Sequence, residues 1–506
     1  MGINTINKKT INFLVLVLFT TQPLIFILNN IHYYPLKSLI NPLLLSLVLF
    51  AFITCLFYLS KKLFKNDLTR LIIFFPILWF CQFYYLDSLK LVVFFIELLE
   101  SKNGIQLYQR ILCLFFIILT SILITFFSNK RFFIFLINLN ILFLIFTSIN
   151  TFQSHFFQKN KKNAISYSSE YFDLKKYKEP NEIKYRNIYF VILDEMTSAK
   201  IYNDLGFNFN SQLTKFEGLG YQHLSDSKSS YESTQFTLGS IFNMEYYKDN
   251  VFIKEENFYP FNLYAKKTPN LLKILNHYEY KFWFMDNQFA KCRIVSNITC
   301  LGRHSFFESI LFDESLKIFF ENSFLKSILH VVKFKIINGE KKTEVQKTTD
   351  FIKKNINILK NKNNFFWIHN MNPHYPHRDP DCKLIKESRS LKDSLYIDST
   401  KCTLKVIDEM ITEINSSDPN AIVVFQADHG YSKYNLDLND GRIYEIFNLI
   451  KIPESCHKKI DNDLGSIASI NLVFSCFRYP ENTIYKNDSF IVRERNTSGT
   501  VFQIFN

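Results

Sequence analysis

The feature that most constrains the fold of this chain is a series of long apolar stretches confined to its first 150 residues. A bilayer is crossed by a helix of about 20 predominantly apolar residues. Residues 91–99 are too short to cross, and we expect them to lie in the membrane interface. Stretches near the required length predict a transmembrane domain of about five helices over residues 1–150, with spans at 11–29, 39–59, 71–86, 111–127 and 132–149.

Basic residues between these stretches predict how the domain is oriented. With five spans all three basic clusters fall on one side, which is cytoplasmic by the positive-inside rule. The chain after residue 150 is then expected outside the cytoplasm. The first stretch alone also fits a signal peptide, but the stretches that follow favour a retained membrane domain. The clusters are Lys8 and Lys9, then Lys61, Lys62, Lys65 and Arg70, then Lys130 and Arg131.

The formal net charge of +13 is partly explained by these loops. Nucleic-acid binding is not expected, because no basic face interleaved with aromatic residues is present.

Six cysteines lie beyond the apolar region, as three pairs of near neighbours in sequence. An even number of cysteines in a non-cytoplasmic domain favours disulfides that close short loops. Reduced thiols are the alternative. The pairs are Cys292 with Cys300, Cys382 with Cys402, and Cys456 with Cys476.

The rest of the chain has the pattern of an α/β domain. Residues 151–186 are polar and lysine-rich and predict a juxtamembrane linker. After them, short β-branched and aromatic runs alternate with helix-like stretches such as 268–278 and 394–415, which predicts a mostly parallel sheet. The runs are residues 187–193, 280–285, 364–369 and 421–427.

Three of these runs end in side chains that bind metals or phosphate. Ligands in open α/β sheets collect at the carboxyl ends of strands, so we expect the three ends to converge. Oxygen and nitrogen ligands of this kind suit zinc or manganese. Taken alone, Asp-His-Gly also fits a turn capped by its aspartate. The side chains are Asp194 and Glu195, then His369 followed by His374 and His377, then Asp428 and His429.

Thr234 lies where a serine-rich segment enters a predicted helix, QFTLGSIFNM. The N-terminus of a helix stabilises an anionic phosphate or sulfate. A threonine hydroxyl at such a place, beside a divalent cation, is a candidate nucleophile. The alternative is that Thr234 serves only as the N-cap of the helix.

Four segments in order resemble the sulfatase-like branch of the alkaline phosphatase superfamily: NIYFVILDEM, YESTQFTLGSIFNMEYY, HNMNPHYPH and VVFQADHG. The resemblance covers roughly residues 187–475. The chain is similar in architecture to bacterial membrane proteins such as lipoteichoic acid synthases and lipid A phosphoethanolamine transferases. This resemblance implies an alkaline-phosphatase-like sandwich with a mostly parallel central sheet over residues 187–506. It also implies a multi-pass protein of the bacterial inner membrane with a periplasmic catalytic domain.

The resemblance also implies roles for individual residues. Thr234 would be the nucleophile, and His374 would act on the substrate side. Phosphotransferase relatives usually have glutamate as the first metal ligand, so Asp194 and Glu195 both stay open at that position. Formylglycine chemistry is excluded, because no cysteine lies between Cys113 and Cys292. One divalent metal (zinc or manganese, with magnesium or calcium as alternatives) would be bound by Asp194, Thr234, Asp428 and His429, with Glu195, His369 and His377 as weaker candidates.

The function that follows is a metal-dependent phosphotransferase. It would move phosphoethanolamine or phosphoglycerol from a membrane lipid donor to a cell-surface glycan or lipid through Thr234. The alternatives are a hydrolase of phosphate or sulfate esters and a catalytically inactive membrane-anchored binding module. The sequence does not identify the donor, the acceptor, the native metal or the oligomeric state.

Overall fold

The structure is a computed structural model, and the chain separates into two compact units. One unit is Met1–Lys162 with Ser305–Ile336; the other, Asn163–His304 with Ile337–Asn506, contains the α/β domain. The residues described are 186–247, 257–263, 268–287, 289–290, 298–301, 342–355, 363–385, 392–433, 440–453, 460–477, 489–496 and 499–504, with 23–24, 26–28, 40, 42–44, 46–48, 51, 55, 145, 149, 175, 177–179, 253 and 292.

The predicted membrane spans lie almost entirely outside the described residues. The described positions within 11–29, 39–59 and 132–149 are helical. Spans 71–86 and 111–127 and the apolar segment 91–99 are not described at all. Among the residues that are described, no helix combines the length and apolarity needed to cross a membrane.

The α/β domain is built on a seven-stranded sheet with the order β2-β7-β6-β1-β5-β3-β4. Neighbouring strands are parallel except at β7, which is antiparallel to both β2 and β6. The mostly parallel sheet predicted from the sequence is therefore confirmed. The strands are β1 (Ile188–Leu193), β2 (Gln222–His223), β3 (Lys281–Met285), β4 (Ile298–Leu301), β5 (Asn364–Asn370), β6 (Ile422–Ala427) and β7 (Asn448–Lys451).

Both faces of the sheet are covered, which explains why its central strands are apolar at successive positions. In β1, Ile188, Phe190 and Ile192 enter one core, and the intervening residues enter the other. Helices α3, α4 and α7 pack on the first face, and α1, α2, α5 and α6 on the second. Their bounds are α1 (Ala199–Asp204), α2 (Asn210–Gly218), α3 (Thr234–Asn243), α4 (Asn270–His277), α5 (Glu344–Lys354), α6 (Asp393–Ser417) and α7 (Ser466–Val473).

The C-terminal residues form a separate two-stranded antiparallel sheet, β8 (Phe490–Asn496) with β9 (Gly499–Ile504). The Phe490 amide donates to the Ser230 carbonyl at 2.9 Å, and its ring stacks on Tyr231. The hairpin thus braces the segment that leads to Thr234.

Two of the three predicted cysteine pairs are disulfide-bonded, Cys292 with Cys300 and Cys382 with Cys402. The second bond joins the loop after β5 to helix α6. Cys456 and the side chain of Cys476 lie outside the described residues, so the third pairing stays a prediction.

Candidate active site

The register of three adjacent strands brings together residues distant in sequence. Strand β1 lies between β5 and β6, with Ile192 opposite His369 and Leu193 opposite Ala427. Asp194 and Asp428 therefore leave the sheet side by side, next to His369. One ligand atom from each of these three buried residues falls within 4.8 Å of the others. This convergence is what the strand-end pattern predicted.

The chemistry of these side chains fits a divalent cation. Asp194 Oδ1, Asp428 Oδ2 and both ring nitrogens of His369 are buried without a hydrogen-bond partner among the described residues. His369 Nε2 lies 3.3 Å from Asp194 Oδ2, but the pair is not aligned as a hydrogen bond. Burying charged groups without compensation costs several kcal/mol. A cation bound by two carboxylates and an imidazole offsets that cost, and this donor set suits zinc or manganese.

His429 stands at the edge of this group. Its Nδ1 donates to the Gly430 carbonyl 2.8 Å away, so Nε2 is the ring nitrogen that faces the carboxylates. Nε2 is 3.7 Å from Asp428 Oδ2 and 3.8 Å from Asp194 Oδ1. The imidazole is thus placed to act as a further nitrogen ligand beside the three-residue group.

Residue 430 must be glycine because there is no room for a side chain at this position. A Cβ at this position would lie 2.8 Å from the carbonyl oxygens of Arg442 and Ile443 and 2.9 Å from that of Glu445. The Gly430 amide donates to the Ile443 carbonyl at 2.6 Å. The glycine after Asp428 and His429 therefore lets the following loop pack directly against the backbone of residues 442–445.

Thr234 is the first residue of α3, and Ser233 occupies the N-cap position with extended backbone. The alternative that Thr234 is the N-cap of this helix does not match the structure, which places Ser233 at that position. Its hydroxyl is buried and lies 3.4 Å from His429 Nε2. Neighbouring Thr237 donates its hydroxyl to the Tyr231 carbonyl at 3.0 Å. The nucleophile candidate thus sits at a helix N-terminus and faces the metal-ligand candidates.

Glu232, two residues before Thr234, is a buried glutamate that was not predicted as a site residue from the sequence. Its Oε2 has no hydrogen-bond partner among the described residues. Burial raises the pKa of Glu232 to about 7, against the opposing influence of its own backbone amide and of His429. A carboxyl that titrates near neutral pH next to a nucleophile is a candidate functional group. Its position inside YESTQF is the only sequence signal for it.

The loop after β5 places the remaining histidines. His374 is half-buried, and its amide donates to the Asp194 carbonyl at 3.2 Å. His377 is buried, with Nδ1 3.2 Å from the Pro373 carbonyl of its own loop. His374 thus lies over the Asp194 peptide, whereas His377 helps to hold the shape of the loop.

Glu195, the alternative to Asp194 as first ligand, has a left-handed backbone with φ 69°. Its carboxylate accepts a hydrogen bond from the Ser432 amide at 2.5 Å, and it is absent from the group of converging ligand atoms. The geometry favours Asp194 over Glu195 as the ligand at the end of β1.

Opposite charges shape the protonation of the site. Burial alone would raise the pKa of Asp194, but the nearby imidazoles of His374, His369 and His429 hold it below its ordinary value. Burial would lower the pKa of His429, yet Asp428, Asp194 and Glu195 raise it to about 9. The pKa of His374 is raised in the same way, with Asp194 and Glu195 outweighing burial. The carboxylates thus favour positive charge on the neighbouring imidazoles.

The structure brings together most of the residues predicted for the site, but it changes which of them are the strongest metal-ligand candidates. His369, a weaker candidate by sequence, is a member of the converging group, whereas Thr234 and His429 lie beside it. A histidine that ends a buried strand was the available signal. His377 is not brought to the group, because it bonds within its own loop.

The sequence matches the family model described as Sulfatase over residues 186–461, more than half of the chain. No curated protein matches it. Among solved structures it is similar to the C-terminal periplasmic domain of EcEptC from Escherichia coli in complex with zinc (12% identity, 64% of this chain and 94% of that chain, TM-score 0.40). It is also similar to the integral membrane protein lipooligosaccharide phosphoethanolamine transferase A from Neisseria meningitidis (14% identity, 95% and 98%, TM-score 0.38).

Proposed function

The chain belongs to the sulfatase family and is a sulfatase-like enzyme of the alkaline phosphatase superfamily, and from that premise we propose that it is a membrane-bound, metal-dependent phosphotransferase. It moves a phosphoethanolamine or phosphoglycerol group from a lipid donor to a surface glycan or lipid. Residues 1–150 anchor it in the bacterial inner membrane, and the α/β domain faces the periplasm. The observation that carries the proposal is the Thr234 hydroxyl, 3.4 Å from His429 Nε2 at the edge of the group formed by Asp194, His369 and Asp428.

A divalent metal held by Asp194, His369, Asp428 and His429 would supply Lewis-acid polarisation of the Thr234 oxygen and of a phosphoryl oxygen. The residues around it perform the rest. The N-terminus of α3 directs its positive dipole end toward the phosphoryl group and so orients an anionic donor. Burial of Thr234 keeps competing water from the reacting atoms.

The first step forms a bond between Thr234 Oγ1 and phosphorus and breaks the bond from phosphorus to the lipid oxygen. Thr234 gives up its proton to solvent before the donor enters the site, so the attacking group is its alkoxide. His374, whose pKa is raised by Asp194 and Glu195 against the effect of burial, gives its proton to the departing diacylglycerol oxygen. In the second step an acceptor hydroxyl attacks the same phosphorus and passes its proton to the now neutral His374. The bond between Thr234 Oγ1 and phosphorus breaks, which returns Thr234 as the alkoxide.

The test is mass spectrometry of the full-length protein in detergent after incubation with phosphatidylethanolamine or phosphatidylglycerol. We expect a mass addition on the peptide that contains Thr234, corresponding to the headgroup phosphate, together with released diacylglycerol. A chelator should abolish the addition. Thr237→Ala is the matched control, because Thr237 lies on the same helix but donates its hydroxyl to the backbone of Tyr231.

Other outcomes would contradict the proposal in different ways. Release of inorganic phosphate or sulfate from a simple aryl ester, with no lipid-derived adduct, would indicate a hydrolase. Metal-loaded protein that forms no adduct with either lipid, and whose cellular role is unchanged by Thr234→Ala, would indicate a binding module.

A further inference from the structure

Tyr396, on α6, is fully buried between the two loops that leave β1 and β6. Its hydroxyl donates to the Glu195 carbonyl at 2.7 Å and accepts from the Thr197 amide at 3.1 Å. Its ring stacks on Tyr431 with centroids 3.8 Å apart and planes 7° apart. One side chain thus contacts the backbone just after Asp194 and the residue two positions after His429.

The Glu195 peptide is itself coupled to the metal-ligand candidates. Its amide donates to Asp428 Oδ1 at 3.0 Å, and the His429 amide donates to the same oxygen at 2.9 Å. These two bonds occupy Oδ1 and leave Asp428 Oδ2 for a cation, since Oδ2 accepts no hydrogen bond from the described residues. The direction of the Glu195 peptide therefore sets the orientation of the Asp428 carboxylate.

That direction depends on a backbone conformation which glutamate rarely adopts. Glu195 has φ 69°, in the left-handed region where a side chain is strained. Such a conformation persists only where the surroundings hold it in place. Besides the bond from its amide to Asp428, two contacts do so at Glu195: the Tyr396 hydroxyl binds its carbonyl, and the Ser432 amide binds its carboxylate.

We infer that Tyr396 is the positioning residue of the metal centre, which fixes the loop after Asp194 and the loop after His429 in one relative arrangement. The inference rests on the metal site of the proposed function. Groups that orient metal ligands from behind usually change metal affinity by about 10- to 100-fold when they are removed. Tyr396 acts on ligands from two strands at once, so its hydroxyl should have an effect in this range.

The matched control for Tyr396→Phe is Tyr202→Phe. Tyr202 is equally buried, donates its hydroxyl to Tyr396 and bonds Thr400. It also approaches the Thr197 amide, but unlike Tyr396 it does not bond the Glu195 carbonyl. Each substitution removes one buried hydroxyl from the same network. A general loss of stability should therefore be similar in the two variants, whereas an effect on the metal should separate them.

The experiment measures zinc affinity of the full-length protein in detergent by competition with a chromophoric chelator. It also records the visible spectrum of the cobalt(II) form, which reports coordination geometry. We expect Tyr396→Phe to bind zinc about 10- to 100-fold more weakly, with an altered cobalt spectrum. Tyr202→Phe should keep the affinity and spectrum of the unmodified protein, even where its melting temperature falls equally.

A second variant, Tyr431→Leu, removes the stacked ring and leaves every hydrogen bond of Tyr396 in place; it should shift the cobalt spectrum as well. Unchanged zinc affinity and cobalt spectrum in both Tyr396→Phe and Tyr431→Leu would overturn the inference. Equal weakening by Tyr202→Phe would do the same. Failure of the unmodified protein to bind either metal would instead overturn the metal site of the proposed function.

Discussion

The hydroxyl of Thr234 lies 3.4 Å from Nε2 of His429, although 195 positions separate the two residues in the chain. One residue begins helix α3 and the other follows strand β6, so the contact joins a helix N-terminus to the carboxyl edge of the sheet. This pairing places a nucleophile candidate within reach of a metal ligand candidate.

Substitution of Thr234 should separate chemistry from folding. Thr234→Ala removes the attacking oxygen and should lower transfer by more than about 10³-fold, as expected for a lost covalent nucleophile. Thr234→Ser keeps an oxygen and should retain a measurable part of the rate. The readout is diacylglycerol released per protein, with melting temperatures to show that all forms are folded. Full activity of Thr234→Ala would reject the role.

Removal of one carboxylate should abolish tight metal binding. Asp194→Asn and Asp428→Asn each withdraw a charged ligand from the buried group. In the unmodified protein, metal at about 100 times its dissociation constant should stabilise the fold by about 2.7 kcal/mol, seen as a higher melting temperature. Neither variant should show that rise. Asp418→Asn is the control, because Asp418 accepts from Asn187 instead of joining the group.

His374→Gln should slow the transfer while metal affinity is preserved. Loss of a general acid typically lowers a rate by about 10²- to 10⁴-fold. The matched control is His377→Gln, since His377 lies on the same loop but bonds the Pro373 carbonyl. Rates measured with donor lipids of progressively better leaving groups should converge for the variant and the unmodified protein. A rate equal to that of the control would remove His374 from the mechanism.

His223, on edge strand β2, should make stability fall in mild acid. Burial lowers its pKa from 6.5 to about 4, although Asp226 opposes the shift slightly, and its ring stacks on Phe447. Above pH 6.5 the folded and unfolded chains both hold neutral histidine, so this stability is fully present. Between pH 6.5 and about 4 only the unfolded chain gains the proton, and stability is lost.

The measurement is urea unfolding of the chelator-treated protein at several pH values. We expect His223→Phe, which keeps the aromatic stack, to reduce the acid loss by about 2 kcal/mol after allowance for partial exposure. Parallel curves for the two proteins between pH 7 and about 4 would contradict this assignment.

The disulfide between Cys382 and Cys402 should stabilise the domain, because it closes a loop with a sequence separation of 20. Chain-entropy arguments give about 3 kcal/mol for a loop of this size. The double variant Cys382→Ser with Cys402→Ser should lose that amount in chemical denaturation. Cys55→Ser, at a free cysteine, should not change stability. Equal stability of the double variant would indicate that packing against α6 alone holds the loop.

The sequence was sufficient to predict four of the seven strands of the large sheet, because β1, β3, β5 and β6 carry mostly apolar runs that are buried on both faces. Asp194 and Asp428 were identified for the same reason, since polar ligands directly follow such runs. The short strands β2, β4 and β7 carry no such run and were not predicted. The sequence did not show that His369 is a stronger ligand candidate than His377, because this depends on the register between β1 and β5. His369 lies opposite Ile192 in β1, which places its ring beside Asp194.

Other parts of the site could not be read from local pattern. The pKa of Glu232 is raised because surrounding elements bury its carboxyl group, and this burial cannot be predicted from the neighbouring sequence. Tyr396 lies more than 200 positions from the Glu195 carbonyl that it binds. It is one of many buried residues on the apolar face of α6, and its spacing there does not distinguish it from residues that only pack in the core. Only the packing of α6 against two loops reveals its contacts.

The hydrogen bond from the Glu195 amide to Asp428 spans 233 positions of the chain. Nearly the whole domain must therefore be synthesised before the ligand candidates that follow β1 and β6 can come together. The growing chain has no preformed pocket for a metal, so loading has to follow folding. For a domain that folds after export, a metal bound at this site would come from the supply outside the cytoplasm. The order of biosynthesis would then contribute to metal selectivity.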